Sequence, residues 1–120
     1  MDKYTQQDAK ILKYKFNNIY PLYVQKISAK GRSIEELNTI IKWLTGYTDD
    51  ELQYYIDHEV SLKDFFDKAS IHPNAHMIKG TICGYKIELI ETPLTKYVRY
   101  MDKLVDELAK GKVMEKILRS

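Results

Sequence analysis

A chain of 120 residues with 44% hydrophobic and 12% aromatic residues is the size of one domain and has apolar surface enough for a core, which excludes the disordered class. No apolar run approaches the roughly 20 residues of a membrane span, and the start "MDKYTQQDAK" lacks the apolar stretch of a signal peptide. The single cysteine, Cys83, excludes an internal disulfide and suits a reducing cytoplasm.

The formal net charge of +2 hides an uneven layout. Residues 1–34 carry seven Lys/Arg against two Asp/Glu, residues 35–67 two against nine, and residues 68–120 ten against six. An acidic middle between basic ends fits either internal complementarity or two separate surfaces.

The first segment is ambiguous. In "ILKYKF" Leu12, Tyr14 and Phe16 alternate with Lys13 and Lys15, which favours an extended segment, while "DAKILKY" fits a short helix; the balance is helix over 6–14 and extended chain for the rest. Residues 1–16 are accordingly open to an extended or mobile arm. The next helix is expected to start near Asn17 and Asn18, both good caps, with Pro21 in the first turn, and to stop at Gly31. In "RSIEELNTIIKWLTG" Ser33 and Glu36 form a capping-box pattern, Ile34, Leu37, Ile40, Ile41 and Leu44 form one apolar stripe, and Gly46 sits where a left-handed C-terminal residue is wanted.

Thr48 and Glu51 repeat the box, and Asp49, Asp50 and Glu51 suit the positive end of a helix running to about Glu59. Ser61 caps a short helix with Leu62, Phe65 and Phe66, which a Pro-Asn turn in "SIHPNAH" interrupts. "MIKGTICGYKIELIE" is β-like, with Tyr85, Ile87 and Leu89 alternating against Lys86 and Glu88, and predicts a hairpin. Thr92 then caps and Pro93 opens the longest helix, to about Lys110. "KVMEKILRS" adds a last amphipathic turn or two.

The strings "YPLYVQKISAKGRSIEELNTIIKWLTGY", "GTICGYKIELIETPL" and "RYMDKLVDELAKGKVMEKILR" together resemble a family of small uncharacterised bacterial proteins in the domain-of-unknown-function series. The Trp-Leu-Thr-Gly-Tyr string carries much of the resemblance, which runs from about Phe16 to Arg119. It implies a small, mainly helical, cytoplasmic bacterial protein and supplies no catalytic residues. The family pattern places proline after Gly-Lys where this chain has Val113, which implies a smoother join into the last helix.

Candidate chemistry is sparse. Trp43 with Tyr47 fits an aromatic platform for a base or peptide, but packing across a helix joint is the plainer reading. His72, His76, His58 and Cys83 are the only nitrogen and sulfur donors of interest, and no second cysteine completes a zinc set. Cys83 between Ile82 and Gly84 reads as a buried small hydrophobe before it reads as a nucleophile. The acids of "TDDE" lack EF-hand spacing, and no phosphate loop, dinucleotide fingerprint or nucleophile elbow is present.

Residues 33–59 read as helix, tight turn, helix, yet no Lys or Arg lies between Lys42 and Lys63, so phosphates would be repelled. Nucleic acid would have to meet the basic ends instead, with Tyr14 and Phe16 stacking on bases beside Lys13 and Lys15.

The expectation is therefore a single, mainly α domain over residues 1–120: a compact bundle of five or six helices, with a short β-hairpin near 77–90 before a long C-terminal helix. Catalytic, metal and cofactor residues are assigned to none. The leading functional reading is a non-enzymatic, cytoplasmic binding or protein-interaction module that self-associates or takes another protein. Its candidate surface residues are Trp43, Tyr47, Lys13, Tyr14, Lys15 and Phe16. The alternative is a nucleic-acid-associated protein using the basic ends, and behind it an enzyme using Cys83 with a histidine.

Overall fold

The longest helix is the common packing partner of most of the others, because a long amphipathic helix offers enough apolar face to seat several shorter ones. The computed structural model describes residues 3–119. In chain order it contains α1 (Lys3–Ile11), α2 (Phe16–Ser28), α3 (Ile34–Thr45), α4 (Asp49–Asp57), α5 (Leu62–Asp67), β1 (Thr81–Ile82), β2 (Tyr85–Lys86), α6 (Pro93–Ala109) and α7 (Met114–Ile117). Single 3-10 turns lie at Ala75–Met77 and Ile87–Leu89. Helix α6 packs against α1, α2, α3, α5, α7 and β1, and its Met101, Leu104, Val105 and Leu108 are fully buried.

The mainly helical expectation, with its hairpin and long late helix, is what the fold displays; α7 is a single turn. Both capping boxes form. The Ser33 hydroxyl accepts from the Glu36 N–H at 3.1 Å while Glu36 accepts from the Ser33 N–H at 3.1 Å. Thr48 and Glu51 make the same exchange at 3.2 and 2.9 Å. Between them Gly46 takes φ +74°, the left-handed position that ends α3.

Helix α2 starts earlier than its asparagines suggest. Its N-cap is Lys15, which makes no side-chain cap, and Asn17 and Asn18 lie inside the first turn. The start is set by tertiary pairing: the Phe16 N–H donates to Val60 O at 2.9 Å, and the Leu62 N–H to Tyr14 O at 3.0 Å. This bridge holds residues 14–16 extended against 60–62, so the alternation in "KYKF" was a true strand signal over two or three residues. Pro21 is consequently inside the helix, where it withholds an N–H from the Asn17 carbonyl. The segment expected to be helical over 6–14 is helical over Lys3–Ile11 and packs on α6; residues 1 and 2 of the suggested arm lie outside the described residues.

Four further expectations are corrected. Cys83 is exposed rather than buried, because Cys83 and Gly84, with φ of 54° and 82°, form the two-residue turn joining β1 to β2, a turn that needs two positive φ values. The strand signal through Leu89 ends at Lys86, and Leu89 is exposed. Thr92 is the N-cap residue of α6 but makes no side-chain cap; its hydroxyl donates to Asp8 instead. At the end of the chain Gly111 takes φ +90° and Val113 is an extended N-cap, so α7 is set off from α6 by a break rather than a smooth join.

Candidate functional site

The acidic middle of the sequence folds into α3, α4 and α5, and the lysines and arginines of the two ends do little to neutralise it. Of its nine carboxylates, Glu36 pairs with Arg32 (2.7 Å), Asp49 with Lys42 (2.5 Å), Glu59 with Lys15 (3.3 Å) and Asp67 with Lys63 (2.9 Å). Glu35, Asp50, Glu51, Asp57 and Asp64 have no ion-pair partner among the described residues. Among the described residues, only Lys15–Glu59 joins the acidic stretch to a distant basic one. Internal complementarity is therefore slight, and the acids make a surface of their own.

Helices α4 and α5 hold that surface open. The Thr48–Glu51 box fixes where α4 begins, and Ser61 fixes α5 by accepting from the Asp64 N–H at 3.1 Å. Leu52 and Tyr55 point inward. Tyr54 falls off that stripe and is 53% exposed, with its ring stacked on His58 (centroids 4.1 Å apart) and edge-on to Tyr55 (5.4 Å). The His58 Nδ1–H donates to the Tyr54 carbonyl at 2.7 Å, closing the end of α4.

A groove of about 450 Å³ runs past Tyr47, Asp50, Glu51, Tyr54, Tyr55 and Lys68. An adjoining one of about 270 Å³ runs past Tyr54, Tyr55, Val60, Asp64, Asp67 and Lys68.

The residues singled out in the sequence scatter. Tyr47 edges this groove but is itself buried; its hydroxyl donates to the Phe65 carbonyl, and burial pushes its phenol well above the usual tyrosine range, with Tyr55 adding to the effect. Trp43 is half-buried and stacks on His72 with centroids 4.2 Å apart.

Phe16 is fully buried and stacked on Phe65, centroids 4.1 Å apart, so it offers no face to a nucleic-acid base; the aromatic stripe it belongs to is core. Lys15 is committed to Glu59, while Lys13 and Tyr14 are exposed.

Tyr14 borders a different, more apolar cleft of about 390 Å³ between α2 and α6, with Ile19, Leu22 and Val98. At its edge the Tyr23 hydroxyl donates to Asp102, Arg99 Nη1 donates to Asp102 at 2.8 Å, and Arg99 Nε donates to Gln7 Oε1 at 3.0 Å. Burial pushes the Tyr23 phenol well up, and Asp102 adds to it. This network spans α1, α2 and α6 and reads as a tie between them.

The histidines are locally occupied. His72 Nδ1 accepts from the Asn74 N–H at 3.0 Å, and the His76 Nδ1–H donates to the Pro73 carbonyl at 2.8 Å. Among the described residues, no three His, Cys, Asp or Glu side chains come together as a metal set. Tyr54 is the residue that sequence reading passed over. The available signal was an aromatic on the polar face of an acidic helix, two positions after Leu52 and next to Tyr55.

No helix among the described residues is long and apolar enough to cross a membrane. No curated protein matches the chain. The fold is similar to the crystal structure of the uncharacterised protein SP1917, at 38% sequence identity and a TM-score of 0.85, over 91% of this chain and 90% of that one. The model of the family described as "uncharacterized protein conserved in bacteria (DUF2200)" matches residues 10–119, and the chain belongs to that family.

Proposed function

We propose that this protein is a cytoplasmic, non-enzymatic protein-interaction module that meets its partner through the acidic α4–α5 face. One observation carries the reading: in a chain of net charge +2, Asp50, Glu51, Asp57 and Asp64 are exposed on neighbouring helices with no ion-pair partner among the described residues. Unpaired like charges gathered on one face repel one another within the monomer and gain most from a complementary surface outside it. A second copy belongs to the same class of partner, since Lys10, Lys13 and Lys30 are exposed and outside every ion pair among the described residues. The nucleic-acid alternative is weakened by the burial of Phe16 and the engagement of Lys15.

The test compares immobilised wild-type protein with the Asp50→Lys/Asp64→Lys variant, using bacterial extract, together with sedimentation velocity of each. The reading expects a discrete partner, or a larger species, that moderate salt releases and the variant fails to form. Equal retention by both proteins, or a strictly monomeric wild type with nothing retained, removes its support.

A further inference from the structure

We propose that the α4–α5 groove is built to receive a Lys- or Arg-bearing extended segment of a partner protein, one cationic side chain lying against Tyr54. The inference rests on the interaction-module reading and narrows it to a place and a chemistry.

The two concave stretches share Tyr54, Tyr55 and Lys68, so they adjoin along the same three side chains. Their walls carry four carboxylates, Asp50 and Glu51 on the α4 side and Asp64 and Asp67 on the α5 side, against the single ammonium of Lys68. One of the four, Asp67, is already paired with Lys63. The lining is thus net negative in a net positive protein, which selects a cationic occupant by charge.

Tyr54 supplies the second element of recognition. One face of its ring is covered by His58, yet the residue stays 53% exposed. An aromatic ring beside carboxylates suits an ammonium or guanidinium, which is drawn to the ring quadrupole and to the acids together. A bare metal ion fits less well, because among the described residues these carboxylates do not converge as a ligand set. Two hollows set side by side along Tyr54 and Lys68 also suit an extended chain better than a single small cation.

The test uses three fluorescein-labelled 12-residue peptides: alternating Arg and Ser, alternating Lys and Ser, and alternating citrulline and Ser, the last having the shape of the first without its charge. Anisotropy is read at 20 and 150 mM salt against four proteins. These are the wild type, Asp50→Lys/Asp64→Lys, Tyr54→Ala, and Glu91→Lys/Glu115→Lys, which makes the same charge change at two exposed sites elsewhere. Thermal melts confirm that each variant is folded.

The expected result is salt-sensitive binding of the Arg and Lys peptides. It should weaken at least about tenfold in the groove reversal and about threefold in Tyr54→Ala, with much smaller loss in the remote reversal. Equal losses in the two reversals, equal binding of the citrulline peptide, or no binding of either cationic peptide at 20 mM salt would overturn the assignment. If extract partners still depend on Asp50 and Asp64 while no peptide binds, the groove assignment falls and the broader reading stands.

Discussion

The Asp8 carboxylate on α1 accepts a hydrogen bond from the Thr92 hydroxyl at 2.6 Å, tying the first helix to the N-cap residue of the longest one across 84 positions of sequence. The other carboxylate oxygen accepts from Thr95, also at 2.6 Å, and Thr95 is 1% exposed. An anion held at the start of α6 is also favourably placed toward the helix dipole. Replacing Asp8 by alanine should destabilise the protein by about 1–3 kcal/mol, since it strands a buried hydroxyl as well as breaking charge-assisted bonds. Urea denaturation measures this; a loss below about 0.5 kcal/mol, the usual range of surface substitutions, would show that the contact is incidental.

The two capping boxes open α3 and α4, and each satisfies N–H groups that a helix cannot satisfy internally. Ser33→Ala and Thr48→Ala should each cost about 1 kcal/mol. The sites start different helices, so the double variant should lose the sum to within about 0.5 kcal/mol. The same denaturation series checks both statements.

Two glycines with nearly the same φ allow a cleaner comparison. Gly31 and Gly46 have φ of 77° and 74°, but a Cβ on Gly31 meets nothing within 4 Å, while one on Gly46 lies 3.1 Å from the Ser70 carbonyl oxygen. That carbonyl cannot withdraw freely, because the Ser70 N–H is bonded to Thr45 O at 2.8 Å. Alanine at either position should pay the left-handed strain of about 1–2 kcal/mol. At Gly46 it should cost measurably more, and equal losses would mean the Ser70 loop yields easily.

Acid should unfold the protein partly through Glu36. Its hydrogen bond with Arg32, aided by the Ser33 N–H, holds its carboxyl at about 2, against an ordinary value of 4.5. The folded-state value is depressed, so this group's stabilisation is complete above pH 4.5 and is lost as pH falls toward 2. Glu36 is partly exposed, and solvent screens the pair, which keeps the effect modest. Glu36→Gln should flatten the stability curve over that window and leave its slope above pH 5 unchanged. An unaltered acid limb would show that Arg32–Glu36 is not a coupled pair in solution.

Much of the helical layout is legible because its signals are local: Ser33 with Glu36, Thr48 with Glu51, Gly46 after the stripe ending at Leu44, and Pro93 opening α6 all act within a turn of chain. What escapes is decided by distant partners. Asn17 and Asn18 look like caps, but the pairing of residues 14–16 with 60–62 sets the start of α2. Thr92 has a capping residue's identity, yet Asp8 draws its hydroxyl away. Cys83 reads as buried from its apolar neighbours and lies exposed because the hairpin needs a two-residue turn there. The candidate site behaves similarly. Its acids are plain in the sequence, and Tyr47 is a candidate there, but nothing local reveals that α4 and α5 set Tyr54 beside Asp50 in one groove and beside Asp64 in the adjoining one.

The central claim, that the α4–α5 face is the binding surface, is tested most directly by amide NMR of the labelled protein titrated with the alternating Arg-Ser peptide. The account predicts saturable shifts concentrated at Asp50, Tyr54, Tyr55, Asp64 and Lys68, with the α2–α6 cleft around Leu22 and Val98 unmoved. Shifts centred on that cleft, or spread evenly over every exposed carboxylate, would contradict it.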